Sequence, residues 1–470
     1  MKQENIKKNL IYNILYQFLN IILPLITIPI ITRHLGATNI GVYSYSYSIA
    51  NYFMLFGLLG VSNYGSREIA KCRENKDALS VKFWSIYKIQ FIVSMTVCLL
   101  FLIYAVFLSS YRTVSLIQSL AVISVIFDIN WFFFGIEQFK TTISRNIIIK
   151  VIAFIMVLLF VNDEEDLWIY TLIMSLSILF SQLVLWFFLF KKVSYVKVPF
   201  KKSYKHFKKI LVLFIPVISY SIYKIMDKIM IGAMSDIESV AYYENAEKIV
   251  GIPIAIITAL GTVMLPRISN LVSKKDTFEI KKYINKSFRL VLFIILPMIV
   301  LLITFGRELC TFYLGEEFEA SGLLLQLLST TILFVSLANV IRTQFLIPYS
   351  RDKEYIFSTI IGAAVNLCLN LILIPKYGAV GACIGTIAAE LSVLGYQVFV
   401  TRKELNYVYL LKQVIKKSVL SIIPMPIIFC VPIINGDAYF TVIIRCILYI
   451  VAYLLLNAKY LLFLLKTKEY

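Results

Sequence analysis

The sequence predicts an all-α protein that crosses a membrane many times. Of its 470 residues, 60% are hydrophobic and only 16% charged, with a mean hydropathy of +0.82, outside the range of soluble globular proteins. The apolar residues gather into about fourteen segments, each close to the ~20 residues that cross hydrocarbon. The turns between them alternate between strongly basic and nearly uncharged. Together these observations predict a polytopic bundle of about 14 transmembrane helices.

In chain order, the first segments run from Leu10 to Thr32, Ile40 to Val61, Phe83 to Leu108, Val114 to Ile136, Ile143 to Val161 and Leu167 to Phe190. They form a predicted N-terminal six-helix lobe, residues 1–190. Residues 191–209, KKVSYVKVPFKKSYKHFKK, read as a basic linker lying on an anionic leaflet, where each Lys contributes about 1 kcal/mol. A second six-helix lobe, residues 210–401, follows with segments from Ile210 to Ala233, Val240 to Leu265, Leu290 to Gly306, Leu323 to Ile347, Ile356 to Ile374 and Ala379 to Val400. Residues 402–470 supply a loop and a terminal pair, Val419 to Ile434 and Tyr439 to Leu456.

Lys and Arg crowd alternate turns: Lys7 and Lys8, Arg67 to Lys76, Lys140 and Arg145, the 191–209 stretch, Lys274 to Lys286, Arg351 and Lys353, Arg402 to Lys417, and Lys459 to Lys468. The opposite turns hold Arg112, Arg307 and Lys376, and the acidic run Asn162 to Asp166. Excess Lys and Arg mark the cytoplasmic side, so both termini are expected there. The net charge of +19 thus reports topology and not a nucleic-acid partner. MKQENIKKN leads into a span too long for a signal-peptide core, which is expected to stay in the mature chain. The seven cysteines are scattered without a CxxC, and His34 and His206 lack Cys or carboxylate neighbours, so no disulfide framework, metal or cofactor is expected.

The most informative stretch is the pair of arms from Ile210 to Arg267, joined by the polar turn SDIES. Lys224, Asp227 and Lys228 share one face of the first arm, and Glu244, Glu247 and Lys248 one face of the second, by i, i+3, i+4 spacing. Folded about Asp236, Lys228 and Glu244 lie about 12 Å from the turn and Lys224 and Lys248 about 18 Å, near the middle of a core ~30 Å thick. Charge at that depth faces a bundle interior or a water-filled lumen and marks a functional site by default. The structural alternative is that the two stripes only neutralise each other and lock two helices together.

An internal repeat is visible across the linker. At an offset of about 200, Gly41-Val42-Tyr43-Ser44 falls on Val240-Ala241-Tyr242-Tyr243 and Arg67 on Arg267. Lobes of even span number enter from the same side, so this is a parallel repeat about the membrane normal, a plan that binds substrate between halves and rocks one against the other. Pro24, Pro29, Pro216, Pro253 and Pro297, and the series Pro424, Pro426 and Pro432, are each expected to bend or break their helices.

TRHLGATNIGVYSYSYSIANYF (Thr32 to Phe53) with the GSREIA that follows, and DKIMIGAM with YYENAEKIVGIPIAIITALGTVMLPRIS (within Asp227 to Ser269), resemble the polysaccharide transporter family. These are the O-antigen and capsule repeat-unit flippases of the multidrug/oligosaccharidyl-lipid/polysaccharide exporter superfamily. The second stretch is the more specific, and the span count and terminal pair extend the resemblance over nearly the whole chain. It implies a V-shaped bundle in the bacterial cytoplasmic (inner) membrane. It further implies an undecaprenyl-pyrophosphate-linked oligosaccharide as substrate, and a polysaccharide polymerase as a partner. The family's cationic cavity finds its counterpart in Lys224, Lys228 and Lys248, with Arg33 at the outer rim.

Physical chemistry makes that reading coherent. A pyrophosphate cannot cross hydrocarbon unpaired, whereas a polyprenyl tail can remain in lipid outside a lateral opening. Asp227, Glu244 and Glu247 would tune or release the anion, and Asp128, in the fourth span, is a candidate proton or sodium site. Glu390, Asn339, Asn366 and Asn370 read as interhelical hydrogen-bonding groups. The rival functions are a multidrug exporter of the same superfamily, expected to carry acidic lumen residues, and a polysaccharide polymerase or ligase, expected to carry a large outward loop. GRELCTFYLGEEFEAS, the longest outward loop, is short, and the chain has no Walker A loop, so neither an enzyme nor ATP hydrolysis is expected.

Overall fold

The computed structural model describes residues 3–426 and 438–458. Among them the chain is helical with no strand, and eight helical stretches are long and apolar enough to cross a membrane. Parts of the sequence reading fall outside the described residues: the end of the thirteenth segment with Pro432, Cys430, and the basic tail from Lys459 to Lys468. The outer faces carry exposed apolar side chains, among them Leu99 and Leu100, Ile148 and Leu159, Phe187 and Val263. Such faces are covered by lipid in a membrane protein, since only backbone already paired within helices can stand in hydrocarbon.

The chain forms two compact units, Met1–Ala241 and Tyr242–Tyr470. In the first, α1 (Gln3–Leu58) packs on α3 (Lys76–Ile103), α4 (Arg112–Ser124) and α6 (Phe139–Phe160), while α7 (Leu167–Leu189) packs on α4 and α6. The short α2 (Val61–Ala70) and α5 (Asn130–Gly135) meet at one end, where Phe83 stacks on Trp131 and Phe132 closes the cluster edge-on. The seventh span, α8 (Phe200–Met234), packs on α1, α2 and α3 and therefore counts with this unit. In the second unit, which takes most of α9 (Ile237–Ser273), α10 (Thr277–Leu314) packs on α11 (Glu319–Ser329), α12 (Thr331–Ile341) and α14 (Tyr407–Ile422). There α13 (Asp352–Thr401) lies on α11 and α12, and α15 (Ala438–Leu456) on α10 and α14.

Inside the long helices prolines do not set the breaks, whereas Pro424 stands in the turn that ends α14 at Ile422. Pro24 and Pro29 in α1, Pro253 and Pro266 in α9, Pro297 in α10 and Pro375 in α13 all lie inside continuous helices. Non-helical backbone inside these helices falls instead at Gly36 (φ 72°), Phe305 and Gly378 (φ 54°). Proline keeps φ near its helical value and gives up one donor, so a helix can run through it; a sharp corner needs φ > 0, which glycine adopts without strain.

The turns of the first unit collect by charge. His34 Nδ1 lies 2.8 Å from Val161 O, and Asn39 Nδ2 donates to Glu164 O at 2.9 Å. Thr38 Oγ1 donates to Glu238 Oε1 at 2.8 Å, so the turns poor in Lys and Arg meet at one end. At the other, Arg73 pairs with Glu137 at 2.6 Å and Trp84 Nε1 donates to Ser194 O at 3.0 Å, joining basic turns. The 191–209 stretch is partly helical. From Phe200 it forms the first turns of α8, continuous with the span. Tyr64 Oη holds this extension at 2.6 Å from His206 Nδ1, so His206 is a half-buried packing residue and not a solvated loop residue.

Candidate functional site

The charged arms turn at Ser235 and Asp236, between α8 and α9. Asp236 accepts from Ser239 N at 2.7 Å and from the hydroxyls of Ser239 and Ser235 at 2.8 and 2.9 Å, closing the turn as an N-cap. On α8, Asp227 is buried while Lys224 and Lys228, one turn apart on the same face, are half-buried. The wall behind them is tight. Tyr52 Oη donates to Ser221 O at 3.0 Å, and a Cβ on Gly232 would stand 2.3 Å from the Tyr45 ring.

On α9, Lys248 Nζ lies 2.7 Å from Glu244 Oε1; the carboxylate side chain is 13% exposed and the lysine 43%. Glu247 is half-buried beside them. Gly251, one turn on from Lys248 and Glu247, faces open space, since a Cβ there would meet nothing within 4 Å. The cation is thus tethered at one end of a helix face that has room for a ligand. Arg33 is exposed at the opposite end of the first unit from the basic turns, three residues before the Gly36 corner.

Asp128 sits where the fourth span is broken. After α4 a 3-10 turn, Val125–Phe127, gives way to extended backbone at Asp128 (φ −72°, ψ 103°) before α5 resumes. Side chains from other spans brace this break: Gln90 Nε2 donates to Asp128 O at 2.8 Å and, at 3.0 Å, to Val125 O, which it shares with Asp128 N, and Trp186 Nε1 donates to Phe127 O at 3.0 Å. Asp128 Oδ1 accepts from Asn130 N and Nδ2 at 2.9 and 2.8 Å. Asn130 in turn donates to Gln182 Oε1 at 2.9 Å and accepts from Arg145 at 3.1 Å. Arg145, which the charge pattern assigns to a basic turn, is buried in this network. The signal that could have found it is the set of amides Gln90, Asn130 and Gln182 inside apolar spans.

The second unit holds a polar seam of its own. Tyr243 Oη lies 2.9 Å from Thr386 Oγ1, Asn370 Nδ2 donates to Asn366 Oδ1 at 3.2 Å, and Glu390 is buried one turn beyond Thr386. Tyr243–Thr386 joins α9 to α13 and Asn366 Nδ2 reaches Thr386 Oγ1 at 3.5 Å across the Gly378 corner, whereas the Asn370–Asn366 bond lies within one helical arm. Lys417 was not among the candidate residues; it is buried over the Phe293 ring and donates to Asn457 Oδ1 at 3.1 Å.

Against known proteins, residues 6–272 match the model of a family described as polysaccharide biosynthesis protein, and residues 212–372 match the MatE model. The chain is 26% identical over 414 residues to an Escherichia coli (strain K12) protein that is provisionally named an O-antigen transporter, covering 85% of this chain and 97% of that one. It is 27% identical over 180 residues to the lipid II flippase MurJ of Bacillus subtilis (strain 168), covering 38% and 32% of the two chains. In three dimensions it resembles lipid II flippase MurJ in its inward closed conformation, with TM-score 0.78 and 18% identity over 97% of this chain and 100% of that one. An inward-facing multidrug resistance MATE transporter gives TM-score 0.57 and 12% identity over 83% and 99%. The fold is therefore that of MurJ-like and MATE-like transporters.

Proposed function

The chain belongs to the polysaccharide biosynthesis protein family, and from that premise we propose that it is a flippase for undecaprenyl-pyrophosphate-linked oligosaccharide repeat units, working by alternating access. The observation that carries this reading is the charged pair of arms. Lys224 and Lys228 flank a buried Asp227 on α8, and on α9 a half-exposed Lys248 is tethered to Glu244 beside open space. A diphosphate needs fixed cations at depth, and carboxylates beside them keep the empty carrier from being a trapped excess of charge. Arg33 is assigned to the outer rim. Glu244, Glu247 and Asp227 tune release, and Asp128, at its broken span, is assigned to proton or sodium coupling.

The fourteen-span count belongs to the same proposal, with lobes 1–190 and 210–401 as a parallel repeat and the terminal pair in 402–470 flanking a lateral path for the polyprenyl tail. So do the cytoplasmic placement of both termini and the bacterial inner membrane as location, which rest on the Lys and Arg asymmetry. The names of the relatives, O-antigen transporter and lipid II flippase, support a carrier of lipid-linked sugars and not an enzyme. The MatE match over residues 212–372 favours one second reading, export of organic cations.

The experiment is transbilayer movement of an undecaprenyl-pyrophosphate oligosaccharide by the purified chain in liposomes, with and without a proton or sodium gradient. Movement that is lost in Lys224→Ala/Lys228→Ala supports the flippase and its headgroup site. Absence of movement together with efflux of organic cations replaces it with the second reading.

A further inference from the structure

The basic end of the first unit contains a recess of ≈ 510 Å³. Three separate turns build it: Arg73 ahead of α3 with Lys76 as its first residue, Ile136 after α5, and Lys191 and Lys192 after α7. Its arginine is already engaged, 2.6 Å from Glu137. That carboxylate is fixed by a backbone at φ 59°, a conformation a non-glycine residue takes only when its surroundings impose it. Lys76, Lys191 and Lys192 form no ion pair among the described residues, and Glu74 is the one carboxylate on the lining. The recess therefore presents three lysine ammonium groups from two turns against the single carboxylate of Glu74, above the buried Leu79 and half-buried Ile136.

The occupant follows from what adjoins it. Just before Lys191, Phe187 in the last turn of α7 and Phe190 directly after it are 76% and 65% exposed, side chains that belong against acyl chains. A ligand with phosphate at one end and hydrocarbon at the other matches both surfaces. We propose that this recess binds the headgroup phosphate of an anionic phospholipid of the leaflet on the basic side, with its acyl chains lying along Phe187 and Phe190. Basic pockets between transmembrane helices suit such headgroups, and each Lys or Arg near an anionic leaflet strengthens binding several-fold. The inference is independent of what the chain transports, because its test reads lipid binding alone.

The full chain is purified into nanodiscs of phosphatidylcholine containing a minor fraction of phosphatidylglycerol, and phosphatidylglycerol retained per chain is read by native mass spectrometry. Lys76→Gln/Lys191→Gln/Lys192→Gln should weaken retention on the order of 100-fold, given the several-fold contribution of each cation. The corresponding triple Arg variant should keep it, as should Lys274→Gln/Lys275→Gln/Lys281→Gln, which removes equal charge from a different turn. If the first triple variant fails to purify, Lys191→Gln/Lys192→Gln reads the same site. Unchanged retention in the recess variant, or equal loss in the distant one, overturns the proposal. Inorganic pyrophosphate bound in neutral-lipid discs with the same dependence on the recess lysines would reassign the site to a soluble phosphate and overturn the lipid assignment.

Discussion

The side-chain amide of Gln90 donates to the main-chain carbonyl of Asp128 at 2.8 Å, bridging the third span to a break in the fourth. The same amide also donates to Val125 O at 3.0 Å, a carbonyl that Asp128 N reaches as well at 3.3 Å, and accepts from Trp131 Nε1 at 2.9 Å, so one buried side chain is the partner of both Asp128 O and the Trp131 indole. Gln90→Leu keeps the volume and strands two of them, Asp128 O and Trp131 Nε1, while Val125 O keeps its bond from Asp128 N. At about 1–3 kcal/mol for each unsatisfied buried group, the loss should be about 2–6 kcal/mol, seen as a clear fall in unfolding temperature in detergent. An unchanged midpoint would show that the break is held by packing alone.

Two glycines should respond oppositely to the same substitution. A Cβ on Gly41 would stand 2.0 Å from the carbonyl oxygen of Ile237, a backbone atom that cannot swing aside, whereas a Cβ on Gly251 meets nothing within 4 Å. Gly41→Ala should therefore lower the yield of folded, monodisperse protein and its unfolding temperature. Gly251→Ala should hold or raise stability by up to about 1 kcal/mol through helix propensity. The comparison is made by size-exclusion profile and thermal unfolding, and equal behaviour would contradict the close approach of α1 to the start of α9.

These positions show what the sequence makes legible and why the rest is hidden. Hydropathy places the spans because burying some 20 apolar residues in hydrocarbon dominates any local term. Asp128 stands out for the same reason, as a charge where none is cheap. Its brace does not: Gln90, Asn130, Arg145 and Gln182 come from separate spans, and a contact between distant spans leaves no periodic trace in the chain. Arg145 and Lys417 mislead because counting basic residues by turn treats each as solvated, while both are buried against amide oxygens, of Asn130 and Asn457. The corners at Gly36 and Gly378 were overshadowed by prolines, whose preferred φ is compatible with the helices they occupy.

Stability should depend on pH in two separable windows at the basic end. Burial, with Lys82 and Lys209 adding to it and Glu68 opposing, pushes the His206 imidazole below its ordinary value of 6.5. The unfolded chain then binds the proton first, so stability should fall as pH drops below about 6.5. For Glu68, burial raises the carboxyl, but hydrogen bonds from Lys71 and Lys82 outweigh it and hold it at about 2, against an ordinary 4.5. Its contribution is present above pH 4.5 and is lost as pH falls toward about 2. His206→Asn should flatten the upper limb of the pH–unfolding profile and leave the lower one, while Glu68→Gln should do the reverse. A single limb removed by both variants would mean that the groups titrate together.

The ion pair on α9 separates the two readings of the charged arms. Lys248 and Glu244 lie 2.7 Å apart with the carboxylate the more buried partner, so Lys248→Ala takes a cation away from a poorly solvated negative charge. Stability should fall by about 1 kcal/mol, modest because the lysine is well hydrated. Transport in liposomes should fall at least about tenfold, because the site has lost a cation and kept an anion. Removing the carboxylate as well, in Lys248→Ala/Glu244→Gln, restores the charge balance. If the pair only locks helices, the double variant should recover both unfolding temperature and transport. If Lys248 holds the diphosphate, stability should return while transport stays low, and Glu244→Gln alone should bind the headgroup more tightly because the lysine is released to it. Recovery of transport in the double variant would remove Lys248 from the substrate site and leave Lys224 and Lys228 to carry it.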